Sequence, residues 1–281
     1  VVIVRVIEKD SKYAPQIAGG DGYAAVLKSD GSIWGFGYNS DGQLGNDKLV
    51  PINVPSQTNI LATYKQIKAG KKFTVALRED GTVWAYGDNT YGQLGQGNRV
   101  SAKKPVQVQN LTNIVSIAAG DNHAIAIDNL GNVYTWGLNS KGQLGNGTTQ
   151  TVSMPEKITG LDNQMVKIAA GGNLSAIIDS TGDVYVFGDN SKEQIEEFKY
   201  NYDQYGQKIM PPLNMYVTQP VKVQTIENAV KVQCLQTGIV VLKTDESVER
   251  ITKYASQTKA QKETIATGEM VDISGTNESV V

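Results

Sequence analysis

Three features of the 281-residue chain predict an all-β fold, a β-propeller of four-stranded blades. A Gly-Gln-Leu-Gly block recurs at Gly42–Gly45, Gly92–Gly95 and Gly142–Gly145. Each block is preceded by two short apolar runs joined by a Gly-bearing turn. Each is followed by a run containing Pro and Val. Repetition at about 50 residues marks one supersecondary unit copied along the chain and stacked on its neighbours.

The elements of one unit follow in order. The first is a short apolar stretch ending in small residues, as in Ile67-Lys68-Ala69-Gly70 and Ile117-Ala118-Ala119-Gly120. The second is an apolar run such as Ala24-Ala25-Val26-Leu27 or Ala124-Ile125-Ala126-Ile127. A turn follows, at Asp30-Gly31, Asp80-Gly81, Leu130-Gly131 and Thr181-Gly182. The returning run is aromatic: Ile33-Trp34-Gly35-Phe36-Gly37, Val83-Trp84-Ala85-Tyr86-Gly87, Val133-Tyr134-Thr135-Trp136-Gly137 and Val184-Tyr185-Val186-Phe187-Gly188. Two apolar runs around such a turn read as a β-hairpin. The last run carries Pro51, Pro105 or Pro155. Proline lacks a ladder donor, so it suits the start of an edge strand.

This pattern resembles the regulator-of-chromosome-condensation repeat family, whose members are β-propellers. The match is close in the repeats near 17–66, 67–116 and 117–167, and degenerate at 168–231 and 232–281. One propeller domain over 1–281 is expected. Second strands fall near 23–28, 73–78, 123–128, 174–179, 238–243 and 277–281, which makes six blades. Val1–Val6 would supply the returning strand that closes the sixth. The alternative is part of a seven-bladed propeller, cut from a longer chain.

Composition narrows the functions. The net charge is −2 and Lys and Arg form no basic run, so no DNA footprint is expected. No apolar stretch is long enough to span a membrane. The single Cys234 excludes an internal disulfide. Abundant Lys, Asn, Thr and Tyr fit a bacterial secreted or surface protein, with the cytoplasm as the alternative.

Catalytic chemistry has little support. The one histidine, His123, fills a slot that is Tyr23, Phe73 or Leu174 in the other copies, which is the behaviour of a packing position. One His and one Cys cannot build a zinc site. Asn39-Ser40-Asp41-Gly42 lacks the leading Asp and the closing Glu of a calcium loop. The Gly-rich stretches lack the Gly-Lys-Ser/Thr end of a phosphate loop. No cofactor or metal is expected. Trp34, Trp84 and Trp136 read as core wedges between blades, and Leu44, Leu94 and Leu144 as plugs that pin each long loop.

The largest departure from the pattern is at 192–219. Glu193 and Glu196 replace the two glycines, and about 13 extra residues follow. With Glu197 they precede a segment bearing Phe198, Tyr200, Tyr202, Tyr205, Met210, Met215 and Tyr216, with Pro211-Pro212 between. Tyr and Met at a surface loop suit protein contact. The alternative is that the loop folds down over the degenerate fifth repeat. Farther on, Lys253–Thr264 is polar and reads as a solvated connector.

Three functions follow. The first is a non-enzymatic scaffold that binds a protein partner. The family resemblance supports it, since the family includes a propeller-type β-lactamase inhibitor protein. The second, implied by the family's namesake, is nucleotide exchange on a small GTPase. The third is carbohydrate binding by surface aromatics.

Overall fold

A computed structural model of the chain describes residues 13–59, 62–192, 195, 201–210, 212–213, 215–255 and 259–266. Blade 1 comprises β1 (Gln16–Gly19), β2 (Tyr23–Leu27), β3 (Ile33–Gly37) and β4 (Ile52–Gln57). Blade 2 comprises β5 (Tyr64–Ala69), β6 (Phe73–Arg78), β7 (Val83–Gly87) and β8 (Ala102–Gln107). Blade 3 comprises β9 (Ile114–Ala119), β10 (His123–Asp128), β11 (Val133–Gly137) and β12 (Val152–Lys157). Blade 4 comprises β13 (Met165–Gly171), β14 (Leu174–Asp179), β15 (Val184–Asp189) and β18 (Tyr216–Lys222). A two-stranded arm, β16 (Asn201–Tyr202) and β17 (Lys208–Ile209), lies between its last two strands in sequence. Blade 5 comprises β19 (Ala229–Leu235), β20 (Gly238–Lys243), β21 (Val248–Ala255) and β22 (Lys259–Ala266). Every blade is a four-stranded antiparallel meander with its strands in chain order.

The first strands of successive blades touch one another, so they form the inner ring. The second strands carry the core: β10 and β14 are buried along their whole length. The fourth strands are largely exposed. Pro55, Pro105, Pro155 and Pro220 sit within β4, β8, β12 and β18 and not at their starts, while Pro51 directly precedes β4. All four internal prolines lie where the pairing with the third strand shifts register. A residue in such a bulge makes no ladder bond, so proline is tolerated there.

Backbone hydrogen bonds join blade to blade at both ends. At one end the turn after the second strand accepts from the next first strand: Tyr64 N to Gly31 O at 2.9 Å, Ile114 N to Gly81 O at 3.1 Å, Ala229 N to Gly182 O at 3.0 Å. At the other, the turns after the first strands form a relay: Asp21 N to Lys71 O, Lys71 N to Asp121 O and Asp121 N to Gly172 O, at 2.8, 2.8 and 2.9 Å.

Of Lys253–Thr264, expected as a solvated connector, residues 253–255 and 259–264 lie instead in the paired strands β21 and β22, and 256–258 lie outside the described residues. Val1–Val6 and 277–281, expected to close a sixth blade, lie outside the described residues.

Candidate functional site

The Gly-Gln-Leu-Gly loops are built alike. Asn39, Asn89 and Asn139 are fully buried. Each side-chain oxygen accepts from the backbone N–H of the plug leucine, Leu44, Leu94 or Leu144, at 2.9 Å. The three leucines are 0–1 % exposed. In the fourth copy Asn190 accepts from Ile195 N at 2.8 Å, and Ile195 is 2 % exposed. The plug therefore survives where the flanking glycines do not. The Asn five residues before each plug is the signal that identifies it.

Each loop locks onto the following blade. A Cβ on Gly45 would lie 2.9 Å from the Tyr86 ring, and one on Gly145 would lie 2.8 Å from the Phe187 ring. Gly95 abuts Val108 and Trp136 in the same way. Gly42, Gly92 and Gly142 press on the backbone of β8, β12 and β18 at Lys103, Ser153 and Thr218. All six glycines have φ between 64° and 84°, where a side chain adds strain. Side chains complete the seam: Thr74 Oγ1 donates to Gln43 O at 2.9 Å, Trp136 Nε1 to Gln93 O at 2.8 Å and Ser175 Oγ to Gln143 O at 2.8 Å.

The three tryptophans are not equivalent. Trp136 pairs with Ala124 at the loop end of its strand and is 0 % exposed. Trp34 and Trp84 pair with Val26 and Ala76, nearer the Asp-Gly turn, and are only half-buried. Their positions correspond to Tyr134 and Tyr185; the true counterparts of Trp136 are Phe36, Tyr86 and Phe187. The expectation of three core wedges thus holds for Trp136 alone. The Arg78 guanidinium lies 3.7 Å above Trp84, and the Lys28 ammonium 5.7 Å above Trp34.

His123 is fully buried and its Nε2 lies 2.8 Å from Ser175 Oγ. Ser175 donates its proton to Gln143 O, so Nε2 carries the imidazole proton and donates to Ser175. Burial pushes its pKa down to about 4. Nδ1 faces Gly120. The imidazole is a neutral packing group between blades 3 and 4. Cys234 is buried with its thiol pKa pushed up by desolvation, so it is unreactive. Among the described residues no group of His, Cys, Asp and Glu is arranged to hold a metal ion. No helix there is long and apolar enough to cross a membrane.

The insertion stands out from this regular frame. In the arm, Asn201 pairs with Ile209 and Tyr202 with Lys208. Asp203 Oδ1 accepts from the backbone N–H of Tyr205 and of Gln207, both at 2.9 Å. Gly206, at φ 76°, closes the turn. Aspartate is suited to this because its short side chain can cap its own turn. The arm and its base expose Tyr202 by 60 %, Tyr205 by 79 %, Ile209 by 48 %, Met210 by 68 % and Leu213 by 63 %. Ile209 and Leu213 were missed by a reading that looked for Tyr and Met. Met215 and Tyr216 are half-buried at the start of β18. Lys141 Nζ donates to Tyr216 Oη at 3.2 Å and lies 4.4 Å above the ring. Glu193, Glu196, Glu197, Phe198 and Tyr200 lie outside the described residues.

Antiparallel four-stranded blades arranged about inner strands, with each loop seated on the next blade, define a β-propeller. The model of the RCC1-like domain family matches residues 3–260, and the chain belongs to that family. Solved structures give the same fold. Human WBSCR16 superposes with a TM-score of 0.74 at 20 % identity, covering 91 % of this chain and 67 % of its own. Prp20p from Saccharomyces cerevisiae gives 0.70 at 24 %, covering 84 % and 57 %. A second structure, of Kap60 bound to yeast RCC1 (Prp20), gives 0.69 at 23 %, covering 84 % and 55 %. The chain thus spans little more than half of the yeast chains. No curated protein matches the sequence.

Proposed function

We propose that this chain is a non-enzymatic protein-binding propeller and that its arm at 201–213 is a contact surface for the partner. One observation carries the reading. A hairpin whose turn is locked by Asp203 holds Tyr202, Tyr205, Ile209, Met210 and Leu213 out in water. A group of exposed large apolar side chains is a liability unless something covers it. A pre-formed turn lowers the ordering cost of binding. Tyr supplies large contact area with few rotamers to lose. Two solved structures of one yeast relative support protein binding as a use of this fold: Prp20 is bound to Kap60 in one, and is described with binding to Gsp1p and histones in the other.

The test is capture of partners by the full chain and by the triple variant Tyr202→Ala, Tyr205→Ala, Met210→Ala, with both melting curves recorded. A protein retained by the first and lost by the second, at equal melting temperature, supports the arm as the contact. Equal retention moves the contact to the blade faces. Nucleotide release measured on a panel of small GTPases distinguishes an exchange factor from a passive binder.

A further inference from the structure

The outer corner after each Gly-Gln-Leu-Gly loop is built alike in blades 1 to 3 but tipped differently. Ile52, Ala102 and Val152 pair with Gly37, Gly87 and Gly137. Segments 46–51, 96–101 and 146–151 therefore sit at the same end of their blades, opposite the Asp-Gly turns. The buried asparagine of each loop clamps the corner. Asn39 Nδ2 donates to Lys48 O at 2.8 Å, Asn89 Nδ2 to Val100 O at 3.0 Å and Asn139 Nδ2 to Thr148 O at 3.0 Å. In blade 3 the tip is Thr149-Gln150, which suits a solvated loop. In blade 1 the same positions hold Leu49 and Val50, 54 % and 56 % exposed. In blade 2 they hold Arg99 and Val100, the latter 72 % exposed. The clamp accepts polar tips, so the fold itself does not call for apolar ones. Nor is the exposure that of a chain end, since blade 2 has blade 1 against Lys103 on one side and blade 3 bonded to Gly97 on the other.

The apolar tips come with cations. Asp47 N donates to Lys103 O at 2.9 Å, which joins the two corners. The Asp47 carboxylate is bridged by Lys103 Nζ at 3.2 Å and Lys104 Nζ at 2.9 Å. Within 46–50 and 96–104 it is the one carboxylate against Lys48, Arg99, Lys103 and Lys104.

We propose that this corner of blades 1 and 2 docks on an anionic lipid surface. Leu49, Val50 and Val100 enter the headgroup region, and Lys48, Arg99, Lys103 and Lys104 meet the lipid anions. Charge sets the sign of the occupant, and residue type sets its class. Aliphatic tips flanked by long cations suit a lipid interface, where each cation keeps its head in the polar layer. Protein hot spots instead favour Trp and Tyr and leave Leu and Val under-represented. The arm exposes such tyrosines, and segments 46–51 and 96–101 contain none. The proposal is independent of the protein-binding reading of the arm, which belongs to blade 4.

The experiment is co-sedimentation of the full chain with phosphatidylcholine vesicles containing about one-third phosphatidylserine, and with phosphatidylcholine vesicles alone. Binding is expected to the first only, and should fall about tenfold or more between about 0.05 M and about 0.5 M salt, as screening shortens the reach of the charges. The triple variant Leu49→Thr, Val50→Gln, Val100→Gln copies the tip of blade 3. It should weaken binding about tenfold or more through lost apolar burial, at unchanged melting temperature. Lys48→Glu with Arg99→Glu should weaken binding at least about tenfold, since each cation near an anionic surface contributes separately. The arm variant Tyr202→Ala, Tyr205→Ala, Met210→Ala should bind vesicles as the parent does. Absence of binding to the anionic vesicles overturns the proposal. So does binding that the tip variant leaves intact, or that the arm variant removes. Saturable binding of a Glu-rich peptide without binding to vesicles would also overturn it and make the occupant an acidic protein segment.

Discussion

Blades 1 to 3 and blade 5 solve the same packing problem in opposite ways. In blades 1 to 3 a glycine directly follows the first strand and a ring opens the second: Gly20 with Tyr23, Gly70 with Phe73, Gly120 with His123. The ring lies on the glycine so closely that any Cβ there would overlap it. In blade 5 the pair is reversed, with Leu235 ending the first strand and Gly238 opening the second. Leu235 is 2 % exposed and joins Val240, Leu242 and Val248, which stand where blade 2 has Val75, Leu77 and Val83 around Phe73. The third-strand ring changes in parallel. Ile251 takes the place of Tyr86, Trp136 and Phe187, and the preceding loop carries Glu196 where Gly45, Gly95 and Gly145 face those rings. Blade 4 stands between the two, keeping Gly171 but opening its second strand with Leu174, so the ring is lost before the glycine, and only blade 5 exchanges both members of the contacting pair.

The most severe effect is expected from changing one member of such a pair. Gly70→Leu should cost more than about 4 kcal/mol in denaturant unfolding, above the usual range for overpacking. The double exchange Gly70→Leu with Phe73→Gly, copying blade 5, should recover at least about half of that, as coupled neighbours do. A double variant no more stable than the single would show that Leu235 and Gly238 are not a compensated pair.

Next come the plugs. Leu94→Ala should cost about 2–5 kcal/mol, the range for truncating a buried leucine. Ile195→Ala should fall in the same range, since it is equally buried and equally held by its Asn. A loss below about 1 kcal/mol at Ile195 alone would mean that the fourth loop is pinned by something other than its plug, since that is well under the cost of a filled site.

These plugs also mark how far the sequence could be read. Blades 1 to 4 were legible because each strand has its own local signature: small residues before the first turn, Asp-Gly or its equivalent at the second, aromatics on the return. The β21–β22 hairpin was not, because Lys253–Thr264 has no glycine to mark a turn and, Tyr254 apart, none of the aromatic residues that mark the returning strands of blades 1 to 4. The tryptophans misled for a related reason. Residue type repeats at Trp34, Trp84 and Trp136, but position in the strand decides burial, and Trp136 is two places farther along. The arm was legible as an anomaly, yet its shape depends on Asp203 capping a turn that has no counterpart in the other repeats.

A smaller, pH-dependent effect separates His123 from the other occupants of its slot. An unfolded histidine titrates near 6.5, and the buried one near 4. Above pH 6.5 both states are neutral and stability does not depend on this group. Between 6.5 and 4 only the unfolded chain gains the proton, so stability falls as pH falls, by about 1.4 kcal/mol per unit and about 3 kcal/mol in all. Below pH 4 the loss levels off. His123→Phe, the residue found at 73, should remove this limb while leaving stability near pH 7.5 within about 1.5 kcal/mol, as volume-conserving swaps do. Asp30 and Asp80 titrate lower, held down by hydrogen bonds from Ser32 and Thr82, and act equally in both proteins. Identical acid limbs in the two proteins would place the proton uptake elsewhere.

The smallest stability effect belongs to the arm, where the contrast with the blades is sharpest. Tyr202→Ala, Tyr205→Ala and Met210→Ala remove side chains that are 60–79 % exposed. Each should shift unfolding by no more than about 0.5 kcal/mol, the ordinary range for surface changes. Asp203→Ala removes no apolar area, but it frees the turn by deleting two acceptor bonds to the backbone. If the arm acts as a pre-formed contact, Asp203→Ala should weaken partner binding without changing the melting temperature, because the cost moves to ordering the turn on binding. A drop in melting temperature with any of the four would instead tie the arm to the packing of blade 4, and the exposed tyrosines would then be its rim and not its purpose.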